Sequence, residues 1–201
     1  MKTMRILTAT AFAAAVAVTS ASAQQTQRVK GTIEKVDGNT LLIKGPDGGP
    51  VTLTLADNAL IVGVVKATLA DIKEGSYIGS GALPQPDGTQ KAVEVHIFAE
   101  SQRGTGDGHR ANWDGAPGGT MTNGAVGQNV SSVDGPVITV KYKDGEKKVV
   151  VGPNVPIVRY EVGDKSELKP GAAINVNAAA KKPDGTFTTA RINVGRGGLV
   201  P

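Results

Sequence analysis

The stretch "GTIEKVDGNTLLIK", Gly31–Lys44, decides the fold. Its first half alternates polar and apolar residues, its second half is rich in β-formers, and Asp37-Gly38-Asn39 between them supplies the chemistry of a tight turn. Working outward, the alternation begins at Arg28, with Val29, Gly31, Ile33 and Val36 as the inward set. Thr40–Lys44 and Val51–Leu55 then flank Pro46-Asp47-Gly48-Gly49, a second hairpin loop. Leu69–Lys73 reads as one helical turn before Gly75 opens another strand. Pro86-Asp87-Gly88 turns the chain into a last strand, Lys91–Ala99.

The same pattern returns later. "VDG" at Val36–Gly38 recurs at Val133–Gly135, "DG" at Asp47-Gly48 recurs at Asp144-Gly145, and "PDGT" at Pro86–Thr89 recurs at Pro183–Thr186. Each copy stands 97 residues after the first. "DIKEG" (Asp71–Gly75) answers to "ELKPG" (Glu167–Gly171), slipped by one residue. Val130–Val133, Val137–Tyr142, Lys147–Val151, Ala172–Ala178 and Phe187–Val194 are the second set of strands. Short strands with frequent turns predict an all-β protein of two tandem small barrels, OB-like or SH3-like, joined by an irregular glycine-rich segment. The expected division is a signal peptide over 1–23, one module over 24–100, an inter-module segment over 101–126, and a second module over 127–201.

The N-terminus carries Lys2 and Arg5, an apolar run from Ile6 to Val18, and Ala21-Ser22-Ala23. This is the layout of a secretory signal peptide cleaved after Ala23, and the run is too short for a bilayer span. The expected location is the periplasm. Loss of Lys2 and Arg5 takes the formal charge from +4 to about +2, and no basic run remains, which argues against nucleic acid as partner. The chain has no cysteine, so disulfides and thiolate metal sites are excluded. No later segment is apolar enough to span a membrane.

The frame "G-x-I-x-x-V-D-G-N-T-L-x-I", then "D-I-K-x-G", then "D-G-T-x-x-A", resembles a family of exported bacterial β-domains of unknown function that occur as repeats. It is carried here by Gly31–Ile43, Asp71–Gly75 and Asp87–Ala92. With "GHRxxWD…PGGTMTN" between the modules, the whole chain is also similar to proteobacterial proteins automatically labelled "metal ABC transporter permease". A permease needs several membrane spans and this chain has one removable apolar segment, so the permease part is rejected. The resemblance implies the fold and hints at a metal.

The chemistry-bearing residues gather between the modules. "GTGDG" at Gly104–Gly108 has no helix after it and so is not a phosphate loop. No serine lies in a nucleophile motif, and the carboxylates sit in Asp-Gly turns, so no enzyme is expected. After processing, the sole tryptophan, Trp113, the sole remaining methionine, Met121, and one of two histidines, His109, fall together. Beside a disordered linker, which the glycines favour and Trp113, Met121 and Pro117 argue against, two readings of this segment stay open. In one it is a packed plug: Trp113 and Met121 fill the groove between modules, and Arg110 pairs with Asp114 or Glu94. In the other, Glu94 and His96 project from the polar outer face of their strand and meet His109 and Met121, with Asp107 nearby, around zinc or copper. The functional expectation is an exported soluble binding or interaction protein whose partner is a periplasmic protein or small ligand. The alternative is a metal-handling accessory.

Overall fold

The computed structural model describes residues 26–130 and 135–201. The expected signal peptide and Val133-Asp134 of the second "VDG" lie outside the described residues. Among the described residues, twelve strands form one hydrogen-bonded network: β1 (Thr26–Asp37), β2 (Thr40–Lys44), β3 (Pro50–Ala67), β4 (Tyr77–Pro84), β5 (Gln90–Ile97), β6 (Gly108–Trp113), β7 (Gly119–Val130), β8 (Val137–Tyr142), β9 (Gly145–Val150), β10 (Ile157–Val162), β11 (Ala173–Lys181) and β12 (Phe187–Gly195). The expected helical turn is a 3-10 turn at Leu69–Asp71, answered by another at Lys165–Glu167. The all-β reading holds.

The repeat is visible in atomic detail. In both "PDGT" turns the aspartate Oδ1 accepts from the backbone N–H two residues on, Asp87 from Thr89 and Asp184 from Thr186, each at 2.9 Å. The threonine hydroxyls add a bond of 2.7 Å in each copy. Gly31 and Gly124 also correspond: a Cβ on either would strike the backbone oxygen opposite, Lys44 O at 2.2 Å or Lys141 O at 2.3 Å. Their correspondence, and the pairing of Ile33 with Ile43 and of Val126 with Val140, sets β7 four residues earlier than the second "VDG" implies.

The expected boundary at 100 to 127 does not separate the two barrels. One barrel closes as β1-β2-β3-β12-β11, and a second circuit runs β7-β8-β9-β5-β4. Each takes a three-stranded meander from one half and a hairpin from the other, and each joins the two by a parallel contact. The halves have exchanged hairpins. The C-terminal part of β3 and its repeat counterpart β10 pair antiparallel with each other, from Val62↔Val162 to Ala67↔Ile157. Parallel pairing of Ile157 with Val95 ties β10 to β5 as well. The alternating apolar residues then meet in two cores. Ile33, Leu41, Ile43 and Leu53 join Ile174 and Ile192, while Ile78 and Val95 join Ile138, Val140 and Val149.

The segment between the copies is not irregular. It forms the hairpin β6–β7, with Arg110 opposite Met121 and His109 opposite Thr122. Pairing with β4 gives β7 an ordered edge, which organises residues whose own sequence has no strand period. Among the described residues no helix is long and apolar enough to cross a membrane.

Candidate functional site

Strand register builds the site. On β5, Val95 and Ile97 enter the core, and Glu94 and His96 take the other face. Across the sheet, His96 pairs with Gly79, and Gly79 with Asn123; one step along the same face, Glu94 pairs with Gly81, and Gly81 with Met121. The two glycines of β4 hollow out this face. A Cβ on Gly79 would lie 2.1 Å from His96 Nε2, and one on Gly81 would lie 2.4 Å from the indole of Trp113.

The expected polar outer face is therefore only partly exposed: Glu94 is half-exposed, and His96 is covered. His96 is only 7 % exposed, because β10 and the other barrel cover it. Its ring stacks on Tyr160 at 5.0 Å between centroids and meets Phe98 edge-on at 4.9 Å. The opposing wall comes from the other barrel: Arg191 on β12, Asn175 and Asn177 on β11, and Arg28 on β1. Arg191 is the repeat counterpart of Glu94, so equivalent faces of the two halves confront each other. Between them lies a cleft of about 530 Å³.

The electrostatics follow from burial. Desolvation, helped by the Arg191 charge, pushes the His96 imidazole down to about 4, so the ring is neutral near pH 7. Burial pushes the Tyr160 phenol up to about 12, with Glu94 contributing. Burial also raises the Glu94 carboxyl against the opposing pull of Arg28 and Lys30. Glu94 Oε1 stands 3.9 Å from His96 Nδ1, an electrostatic neighbour rather than a hydrogen-bond partner. Arg28 Nη2 donates to Asp114 Oδ1 at 2.6 Å, spanning from β1 to the β6–β7 hairpin. Arg191 has no carboxylate: its guanidinium lies 5.8 Å over the Tyr160 ring and makes no ion pair or side-chain hydrogen bond among the described residues.

Several buried polar atoms of the walls have no protein partner: Arg28 Nε, Asn123 Oδ1 and Asn175 Oδ1. Asn123 is 5 % exposed and its amide orientation is set by Nδ2 donating to Thr105 O at 3.0 Å. Buried groups in folded proteins are nearly always satisfied, so these atoms point to a missing partner. The larger hollow near the C-terminus offers less, since its Glu167 and Arg196 already bind each other through two contacts of 2.8 Å.

Of the sequence-expected residues, Glu94, His96, Arg110, Trp113, Asp114 and Met121 all line the cleft. His109 does not join them. It shares its row with Thr122, Ser80 and Val95, whose side chains face opposite to those of the His96 row. His109 Nδ1 instead meets Thr122 Oγ1 at 2.8 Å, and its ring lies 6.5 Å from Tyr142. Among the described residues no three His, Asp or Glu side chains converge as metal ligands, so the set Glu94, His96, His109 and Met121 is not brought together around zinc or copper. Asp107 is likewise engaged, accepting from the Tyr77 hydroxyl at 3.1 Å and from Lys143 N at 2.8 Å.

Trp113 is half-buried rather than buried. A bulge between Ala111 and Trp113, with Asn112 at φ 58°, turns the indole out of the strand alternation and onto the backbones of Gly81, Gly115 and Gly119. Arg110 donates to Gly106 O at 2.6 Å and pairs with neither Asp114 nor Glu94. Sequence reasoning missed Tyr160, Asn123, Asn175, Asn177 and Arg28; the Gly-Ser-Gly of β4 was the available signal of a hollowed face.

Fold and site together define an all-β protein of two strand-exchanged barrels with a polar cleft between them. No family model matches the chain, and neither a curated protein nor a solved structure does.

Proposed function

We propose that the protein is an exported, soluble binding protein that holds a small ligand in the cleft between its barrels. The observation that carries this reading is the buried, unpartnered Asn123 Oδ1, with Asn175 Oδ1 and Arg28 Nε, in the walls of a hollow of about 530 Å³. That volume lies in the range of small-molecule sites. The strained backbone at Asn112 beside the cleft supports the reading, since such conformations gather at binding sites. Binding is preferred to catalysis because the His109–Thr122 contact is sealed: Thr122 is fully buried and no substrate could reach it. Export rests on the Lys2 to Ala23 leader pattern, with the periplasm as the location.

Trp113 is the sole tryptophan and lines the cleft, so its emission reports occupancy. A panel of small polar metabolites screened by thermal shift should yield at least one compound that both raises the melting temperature and changes Trp113 emission. A panel in which stabilising compounds never alter the emission would refute binding in this cleft.

A further inference from the structure

The ligand class is legible from what the walls lack. Arg191 is a half-buried cation with no counter-ion among the described residues. A desolvated, unpaired charge is costly to keep, and its planar fork of donors fits a carboxylate. Of the other cleft arginines, Arg28 is already bound to Asp114, although its buried Nε donor is unmatched. Arg110 is anchored on a backbone carbonyl. Arg191 is thus the free anchor. The unmatched acceptors, Asn123 Oδ1 and Asn175 Oδ1, demand hydrogen-bond donors from the same ligand. Trp113 and Met121 offer apolar contact at the hairpin side. Glu94 and Asp114 stand on the opposite wall and oppose a second negative charge, which disfavours a phosphate dianion.

Building on the binding role proposed above, we infer that the cleft takes a small organic monocarboxylate bearing hydroxyl or amino donors, with its carboxylate on Arg191, its donors on Asn123 and Asn175, and its body against Trp113. This ligand satisfies Arg191 and the two unmatched amide oxygens at once. A neutral polyol would leave Arg191 unpaired, and a bare anion would leave the two amide oxygens unsatisfied.

The test uses the purified full chain, isothermal titration calorimetry and Trp113 fluorescence. The probes are short aliphatic and aromatic hydroxy- and amino-carboxylates, the amide of each, neutral polyols, and inorganic phosphate. At least one carboxylate should bind and shift Trp113 emission, its amide should bind about tenfold more weakly or worse, and Arg191→Met should lose a similar factor. Arg191→Lys should recover part of the affinity. Equal binding of acid and amide, with Arg191→Met unimpaired, would leave the cleft a binding site and overturn the carboxylate assignment. Phosphate binding as tightly as the best carboxylate would overturn it too. If no acid, amide or polyol binds, the assignment and the binding role fall together. Should Arg191→Met fail to fold, the acid–amide comparison on the unmodified chain decides the matter alone.

Discussion

His96 makes the fold sensitive to mild acid, and the size of the effect follows from its surroundings. The imidazole is stacked on Tyr160 and edge-on to Phe98, almost wholly buried, and held at about 4 against an ordinary 6.5 by desolvation and by Arg191. In the unfolded chain the ring takes up a proton near 6.5; in the folded chain it resists until about 4. Between these values the unfolded state binds more protons, so stability falls as pH drops. The stabilisation is complete above 6.5 and lost by about 4. Lowering the pH from about 7.5 to about 5 removes about 2 kcal/mol through this one group. Glu94, 3.9 Å away, is the nearest group that could soften the effect, and its own raised pKa keeps that compensation partial. The assay is urea denaturation across this range for the unmodified chain and for His96→Asn, which installs the residue found at the equivalent position, Asn193. Acidification acts on the other titrating groups in both proteins, so the difference isolates His96. The unmodified chain should lose about 2 kcal/mol more than the variant. Parallel pH profiles would refute a buried, neutral imidazole and the closed cleft wall it belongs to.

Other consequences can be checked directly. Trp113→Ala should cost about 1–2 kcal/mol by urea denaturation, because the ring is half-buried on glycine backbones; a loss above about 4 kcal/mol would place it in a core. Gly79→Ala drives a methyl group into His96 and should destabilise by about 1–3 kcal/mol in the same assay. Residues 26–100 expressed alone keep β1–β3 but lack the β11–β12 hairpin that closes their barrel. They should associate into dimers by light scattering, whereas a stable monomer would show β4–β5 folding back to replace it. Intact mass of the exported protein should correspond to a chain starting at Gln24, and a chain retaining Met1 would refute cleavage after Ala23.

What could be read from the sequence was what local chemistry encodes. Alternation in Arg28–Val36, the β-rich Thr40–Lys44 and the aspartate caps of the "PDGT" turns act within a few residues, and they appear as β1, β2 and two matching turns. The second half of β3 and β10 went unread because "ALIVGVV" and "PIVRYEV" give no clean period of two: these strands pair with one another and with both barrels, so neither of their faces is uniformly polar. The hairpin β6–β7 was hidden for a different reason. Its glycines and polar residues become strand only through pairing with β4. At the site, the correspondence of Glu94 with Arg191 and of His96 with Asn193 was visible in the repeat. Their confrontation was not, because nothing in a strand's own pattern says which neighbour will cover its outer face.

The exchange of hairpins explains why a cleft exists at all. Had each half closed its own barrel, the outer faces of β5 and β12 would belong to separate bodies joined by one segment, and polar residues there would be ordinary solvated surface. Duplication supplies two interchangeable hairpins, and β4–β5 closes the barrel of β7–β9 while β11–β12 closes that of β1–β3. The barrels become interlocked, and β3 and β10 zip their equivalent edges together. Faces that bore the same pattern by descent are thereby held opposite one another at fixed distance. Differences between the copies then become differences between the walls: glycines at 79 and 81 on one side where asparagines 175 and 177 stand on the other, Glu94 against Arg191, His96 against Asn193. A face lined by two glycines has room to bury a histidine and seat an indole, while the asparagine face offers donors and acceptors. The unlike walls of this cleft are a product of the asymmetry between two copies, and they require the interlocked topology to bring the unlike copies together.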